Sequence, residues 1–149
     1  MAKQDVPILE MDILTLAAVN LILGLAILLS MGWQCIQQPH QGYWWWFAAC
    51  GAALSINSLN GLLSAWLLLP PLLTTLVANI AIVSMHCCLL FGVARLVARQ
   101  INPAWWLVPL LVGALHLLPA LQQQLNWRVL VGFSAIILLN SVTLQLIWS

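Results

Sequence analysis

The sequence predicts an all-α integral membrane protein, a bundle of five transmembrane helices with its N-terminus outside and its C-terminus in the cytoplasm. Composition is the first reason: the chain is 64% hydrophobic and 5% charged, where ordinary soluble domains carry about 25% charged residues. Charge placement is the second. There are four Lys or Arg and three Asp or Glu, and none falls between Asp12 and Arg95. No water-facing surface can be built from that inventory, so lipid must be the solvent. The third is a recurrence of apolar runs of about 20 residues, the length a membrane helix needs. These runs lack the period-2 alternation of barrel strands.

The runs divide residues 1–149, a single transmembrane domain, into five spans. The first covers about Met11 to Ile36 and stops at "QQPHQG". The second runs from about Tyr43 to Leu69, where Pro70 and Pro71 end it, because proline lacks an N–H and disfavours helix just before it. The third covers about Leu72 to Ala98, ahead of "QINP". The fourth, about Ala104 to Leu121, is the shortest and carries Pro109, where a kink is expected. After "QQQLN" the fifth runs from about Trp127 to Trp148.

Tyr43 with Trp44, Trp45 and Trp46 opens the second span, and Trp105 with Trp106 opens the fourth. Such rings favour headgroup depth, so they are expected to anchor helix ends. Arg95 and Arg99 form the basic pair, and the positive-inside rule places the loop after the third span in the cytoplasm. Lys3 and Arg128 then fall outside, so the charge count alone is a tie.

Several classes are disfavoured. Nucleic-acid binding needs a basic face, which a net charge of +1 does not supply. The acidic start (Asp5, Glu10, Asp12) is unlike the basic n-region of a signal peptide. Cys35, Cys50, Cys87 and Cys88 lie in or beside apolar stretches without loop spacing, so reduced thiols are expected. Every carboxylate lies within the first twelve residues, leaving no interior acid to pair with a histidine as a base. Transport usually needs intramembrane ionisable groups, and here only histidines qualify.

Two polar groupings stand out by depth. Asn20, Asn60 and Asn79 fall roughly 10–14 Å below the outer surface when counted by helix rise. Asn57, Asn60 and Ser64 share one face of the second span. Amides facing lipid are costly, so these residues should turn inward, either as interhelical bonds or as a sensing pocket open to the outside. His86 and His116 count to one level, roughly 18 Å from the cytoplasmic surface. With Cys87 and Cys88 nearby, that level would suit haem or a metal ion. A buried neutral imidazole bonded to a carbonyl explains the same facts, and no cofactor is the leading expectation.

The stretch "YWWWFAACGAALSINSLNGLLSAWLLLPPLLTTLVANIAIVSMHCCLLFGVARLVARQ" resembles the N-terminal membrane sensor regions that precede GGDEF diguanylate cyclase domains in bacteria. The residues that carry the likeness are Trp44 to Trp46, the small residues Ala48, Ala49, Gly51 and Ala52, then Pro70, Pro71, Asn79, Gly92, Arg95 and Arg99. "NWRVLVGFSAIILLNS", with Arg128 and Ser134, looks like a later helix of the same region. The resemblance implies a sensory, anchoring and dimerising module in the bacterial inner membrane. Its last helix would carry a signal to a cytoplasmic cyclase domain, and no GGDEF motif lies within these residues. The likeness therefore implies either the membrane part of a longer chain or a lone relative. It also implies a homodimer, for which Ala48/Ala52 and Gly51/Ser55 offer small-residue spacing, although the same spacing serves packing within one chain. From a different class, the rival reading is a small non-catalytic subunit that anchors a larger membrane complex.

Overall fold

The computed structural model describes residues 6–67, 69–119, 121 and 124–148, with side chains from residue 13 onward. Of the charged N-terminal residues named above, the side chains lie outside the described residues. The elements are α1 (Val6–Gln37), α2 (Tyr43–Leu67), α3 (Pro71–Leu96), a 3-10 turn (Pro103–Trp106), α4 (Leu107–His116) and α5 (Leu125–Trp148). No strand occurs among the described residues. Four helices are long and apolar enough to cross a membrane: Ile13–Gln37 within α1, then α2, α3 and α5. Large apolar side chains cover the outside of the bundle, among them Ile22, Leu29, Trp66 and Phe133.

Local chemistry sets the ends. Pro71 opens α3 in its first turn, where a missing N–H costs nothing. At the other end Ala98 adopts φ 54, and the N–H of Arg99 reaches back to the Ala94 carbonyl at 2.8 Å. This left-handed cap closes α3 before the basic pair is complete. The 3-10 turn is capped by Asn102, whose side chain accepts from the Ala104 N–H at 2.8 Å. Pro109 sits in the first turn of α4, where its missing N–H is tolerated.

α1 and α2 are antiparallel and meet almost backbone to backbone. A Cβ on Gly24 would stand 2.6 Å from Ser55 Oγ, and one on Gly51 would stand 2.5 Å from the Leu28 nitrogen. The Gly51/Ser55 spacing is therefore taken up by α1 of the same chain. α2 in turn packs on α3, where Gly92 admits Phe47 and Trp46, each within 3.2 Å of the position a Cβ would take.

α3 is the central helix. Val83, Cys87, Leu90 and Phe91 form a core with Val112 of α4 and with Ala135 and Leu139 of α5. α3 and α5 run parallel with a nearly constant offset, shown by the pairs Thr75–Arg128, Asn79–Gly132 and His86–Asn140. The segment between them must therefore return from one end of the pair to the other. α4 supplies that return in 10 residues, about 15 Å of helix, so it is less than half the length of α3 and α5. The fourth predicted span is thus a short helix entered through a 3-10 turn.

The entry is deep. Residues 97–104 fold back, so that the Trp105 carbonyl lies 3.6 Å from Cys87 Sγ. Trp46, Phe91 and Trp106 form one stacked group, with centroids 4.9 Å apart for Trp46–Phe91 and 5.8 Å for Phe91–Trp106. Trp46 and Trp106 are thus packing residues of the bundle, whereas Trp45, 62% exposed, keeps the outward placement of an anchor.

Candidate polar seam between two parallel helices

The polar residues of α3 and α5 meet along one line. His86 Nδ1 lies 3.0 Å from Asn140 Oδ1; since an amide oxygen only accepts, the ring donates. One face of α3 places Thr75 and Asn79 one turn apart, followed by His86. Asn79 donates to the Thr75 carbonyl of its own helix at 2.8 Å. Its Oδ1 lies beside Gly132, whose missing side chain opens the space. Arg128 Nη1 approaches Thr75 Oγ1 at 3.5 Å.

An open groove of about 650 Å³ runs along this seam, lined by Thr75, Asn79, Ile82 and His86 from α3 and by Arg128, Phe133 and Ile136 from α5, among others. Its walls are mostly apolar, with polar groups at the Arg128 end and along the α3 side. A smaller cavity of about 180 Å³ adjoins it at the ends of the helices, lined by Pro71, Leu72, Thr75, Leu76, His116 and Arg128.

The expected outer pocket does not converge as one site. The contacts Gly24–Gly51 and Ala17–Gly61 bring Asn20 to about the level of Asn57, three residues or about 4.5 Å of helix rise from Asn60. The faces differ. Asn60 bonds to the Thr74 carbonyl at 2.9 Å, joining α2 to α3, while Ser64 bonds within α2 to the Gly61 carbonyl. Asn79 turns instead toward α5. Helix rise fixes depth, but the azimuth of each amide is set by which neighbour packs there.

The paired-histidine arrangement is overturned. His116 sits beside Leu72, Thr75 and Leu76, about ten residues or 15 Å of helix rise from His86. The reckoning had started the fourth span level with the end of the third, whereas the fold-back of residues 97–104 carries Trp105 down to Cys87. His116 donates from Nδ1 to the Val112 carbonyl at 2.7 Å. Nor do the neighbouring thiols join His86, because successive helical residues diverge by about 100°. His86 faces α5, Cys87 faces the Trp105 carbonyl, and both Cys87 and Cys88 are buried. Among the described residues no three His, Cys, Asp or Glu side chains are grouped to hold a metal ion.

Arg95 and Arg99 are exposed at the end of α3, flanking a cavity of about 420 Å³ floored by Trp46, Phe91 and Trp106. Arg128 lies at the opposite end, beside Thr75. From Thr75 to Arg95 is twenty residues, about 30 Å of helix, the thickness of a bilayer's hydrocarbon core. Asn140 and Thr75 escaped the sequence reading. Asn140 had a signal, as an amide deep in an otherwise apolar run, but its partner on α3 depends on the parallel packing. Comparison with known protein families, with curated proteins and with solved structures finds no match for this chain.

Proposed function

We propose that the chain is a non-catalytic sensory module of a bacterial inner membrane, in which the α3–α5 pair is the moving part. The observation that carries this reading is the parallel pair itself. α5 buries one narrow stripe, Gly132, Ala135, Leu139 and Thr143, and is held to α3 by the bond from His86 to Asn140 and the longer one from Arg128 to Thr75. A groove opens beside these bonds. A ligand in the groove would favour one packing of α5 over another by its differential affinity for the two. The C-terminal end of α5, level with Arg95, would pass the change to a cytoplasmic output.

A diguanylate cyclase as that output rests on the sequence resemblance, through Trp44 to Trp46, Pro70, Pro71, Asn79, Gly92, Arg95 and Arg99. The tight seat of Phe47 against Gly92 and the exposed basic pair at the end of α3 are consistent with it. A homodimer would then use a surface other than Gly51/Ser55, which α1 covers. The competing proposal is a small anchoring subunit of a larger membrane complex, with lipid or partner subunits against the exposed face of α1.

Detecting the native protein in its own membranes, with an antibody to residues 97–104, separates the two. A species much heavier than 16.4 kDa that gains cyclic di-GMP synthesis on purification supports the sensory module. A species of 16.4 kDa that co-purifies in fixed ratio with unrelated polypeptides overturns it in favour of the anchoring subunit.

A further inference from the structure

The small cavity at the start of α3 and α5 holds two buried polar atoms that have no partner among the described residues. His116 is 1% exposed. Its Nδ1 must carry a proton to reach the Val112 carbonyl, which leaves Nε2 of the neutral ring as a bare acceptor. Among the described residues Nε2 has no hydrogen-bond partner, and neither has Arg128 Nε, a fixed donor. Both residues line the same cavity of about 180 Å³. A buried acceptor or donor left unmade costs about 1–3 kcal/mol, so the site is built for something that gives one proton and takes another.

The second observation is continuity. Thr75 and Arg128 line both this cavity and the groove of about 650 Å³. From Arg128 the groove follows α5 through Val129, Gly132 and Phe133 to Ile136, about 12 Å of helix rise. A polar end that pairs a donor with an acceptor therefore opens into a long apolar trough.

We propose that this is a binding site for a long-chain carboxylic acid, with its head between His116 and Arg128 and its chain in the groove. The acid O–H meets Nε2, and the second oxygen accepts from Arg128 Nε–H. If the proton passes from the acid to Nε2, a carboxylate lies between imidazolium and guanidinium, and both hydrogen bonds persist. Arg128 Nη1, held near Thr75 Oγ1, orients the fork, and Phe133 with Ile136 contacts the chain. A water molecule could satisfy the same two atoms but would leave the trough without purpose. The site stands independently of whether the module signals.

The test measures equilibrium binding of dodecanoate, its methyl ester and acetate to the whole chain in neutral detergent. Dodecanoate should bind at least about tenfold more tightly than the ester or acetate, as expected when a charge-assisted hydrogen bond is added to chain burial. His116→Leu and Arg128→Gln should each remove that advantage. Because a core histidine variant can misfold, Ala78→Leu supplies a second arm: Ala78 lines the groove on its α3 side, so a leucine there narrows the trough and should weaken dodecanoate while His116 and Arg128 stay in place. Equal binding of acid and ester would overturn the proposal in favour of a purely apolar groove. Acetate binding as tightly as dodecanoate would overturn it in favour of a small-ion site. Unchanged dodecanoate binding in correctly folded His116→Leu would also overturn it.

Discussion

His86 of α3 and Asn140 of α5 are 3.0 Å apart, and this contact joins two helices that run in the same direction with α4 returning between their ends. An imidazole and an amide placed in separate apolar runs thus become one unit. Each would be costly against hydrocarbon if unpaired, so their pairing fixes the rotation of α5 about α3.

A double-mutant cycle measures that unit. His86→Leu and Asn140→Leu should each destabilise the bundle, and the double variant should cost less than their sum. The expected coupling is about 0.6–1.7 kcal/mol, the range for hydrogen bonds between membrane helices. Reversible unfolding in mixed micelles is the readout; strictly additive effects would show that the bond carries no energy.

Two glycines on α1 and α2 should respond oppositely. A methyl group at Gly51 would stand 2.5 Å from the Leu28 nitrogen and 2.7 Å from the Gly24 oxygen, all backbone, whereas Gly32 has nothing within 4 Å. Gly51→Ala must therefore push α1 off α2, at a cost of about 1–3 kcal/mol typical of overpacking. Gly32→Ala should stabilise by about 0.5–1 kcal/mol through helix propensity alone. The same unfolding assay compares them.

That contrast also shows what sequence can and cannot reveal here. The ends of α2 and α3 fall within two residues of expectation, because Pro70 and Pro71 act through local sterics. The shared level expected of Asn20, Asn60 and Asn79 does not hold in detail, since Asn20 comes opposite Asn57 and Asn60 meets Thr74: a count from span ends carries the error of each end. The choice of Gly51/Ser55 as a contact within the chain was open, since small-residue spacing is the same whichever helix fills it. His116 was misplaced because no periodicity records that residues 97–104 fold back onto Cys87. The groove itself depends on α5 lying parallel to α3, a tertiary fact that brings Thr75 and Asn140 into the site.

Ala98 offers a simple backbone test. Its φ of 54 is a left-handed conformation that costs an L-residue roughly 1–2 kcal/mol and costs glycine little. Ala98→Gly should therefore raise unfolding stability by up to about 1 kcal/mol after its extra unfolded-state entropy is deducted. Ala98→Val should lower it, since a β-branched side chain is a poorer fit at positive φ.

The parallel α3–α5 pair makes a topological prediction that separates four crossings from five. If α4 returns through the bilayer, the turn after α3 and the turn before α5 must face opposite compartments, although α4 itself is only 10 residues long. Gln100 and Gln124 are exposed in those two turns, and Gln41 is exposed ahead of α2. Because Trp46 of α2 stacks on Phe91 of α3, Gln41 belongs with Gln100. In a background with the four native cysteines replaced, single cysteines at these positions can be labelled with an impermeant maleimide in sealed, oriented vesicles. Gln41→Cys and Gln100→Cys should react from one side, and Gln124→Cys from the other. Labelling of positions 100 and 124 from the same side would mean that α4 dips into one leaflet and re-emerges. In that case α3 and α5 could not run parallel, and the His86–Asn140 contact would be lost with them.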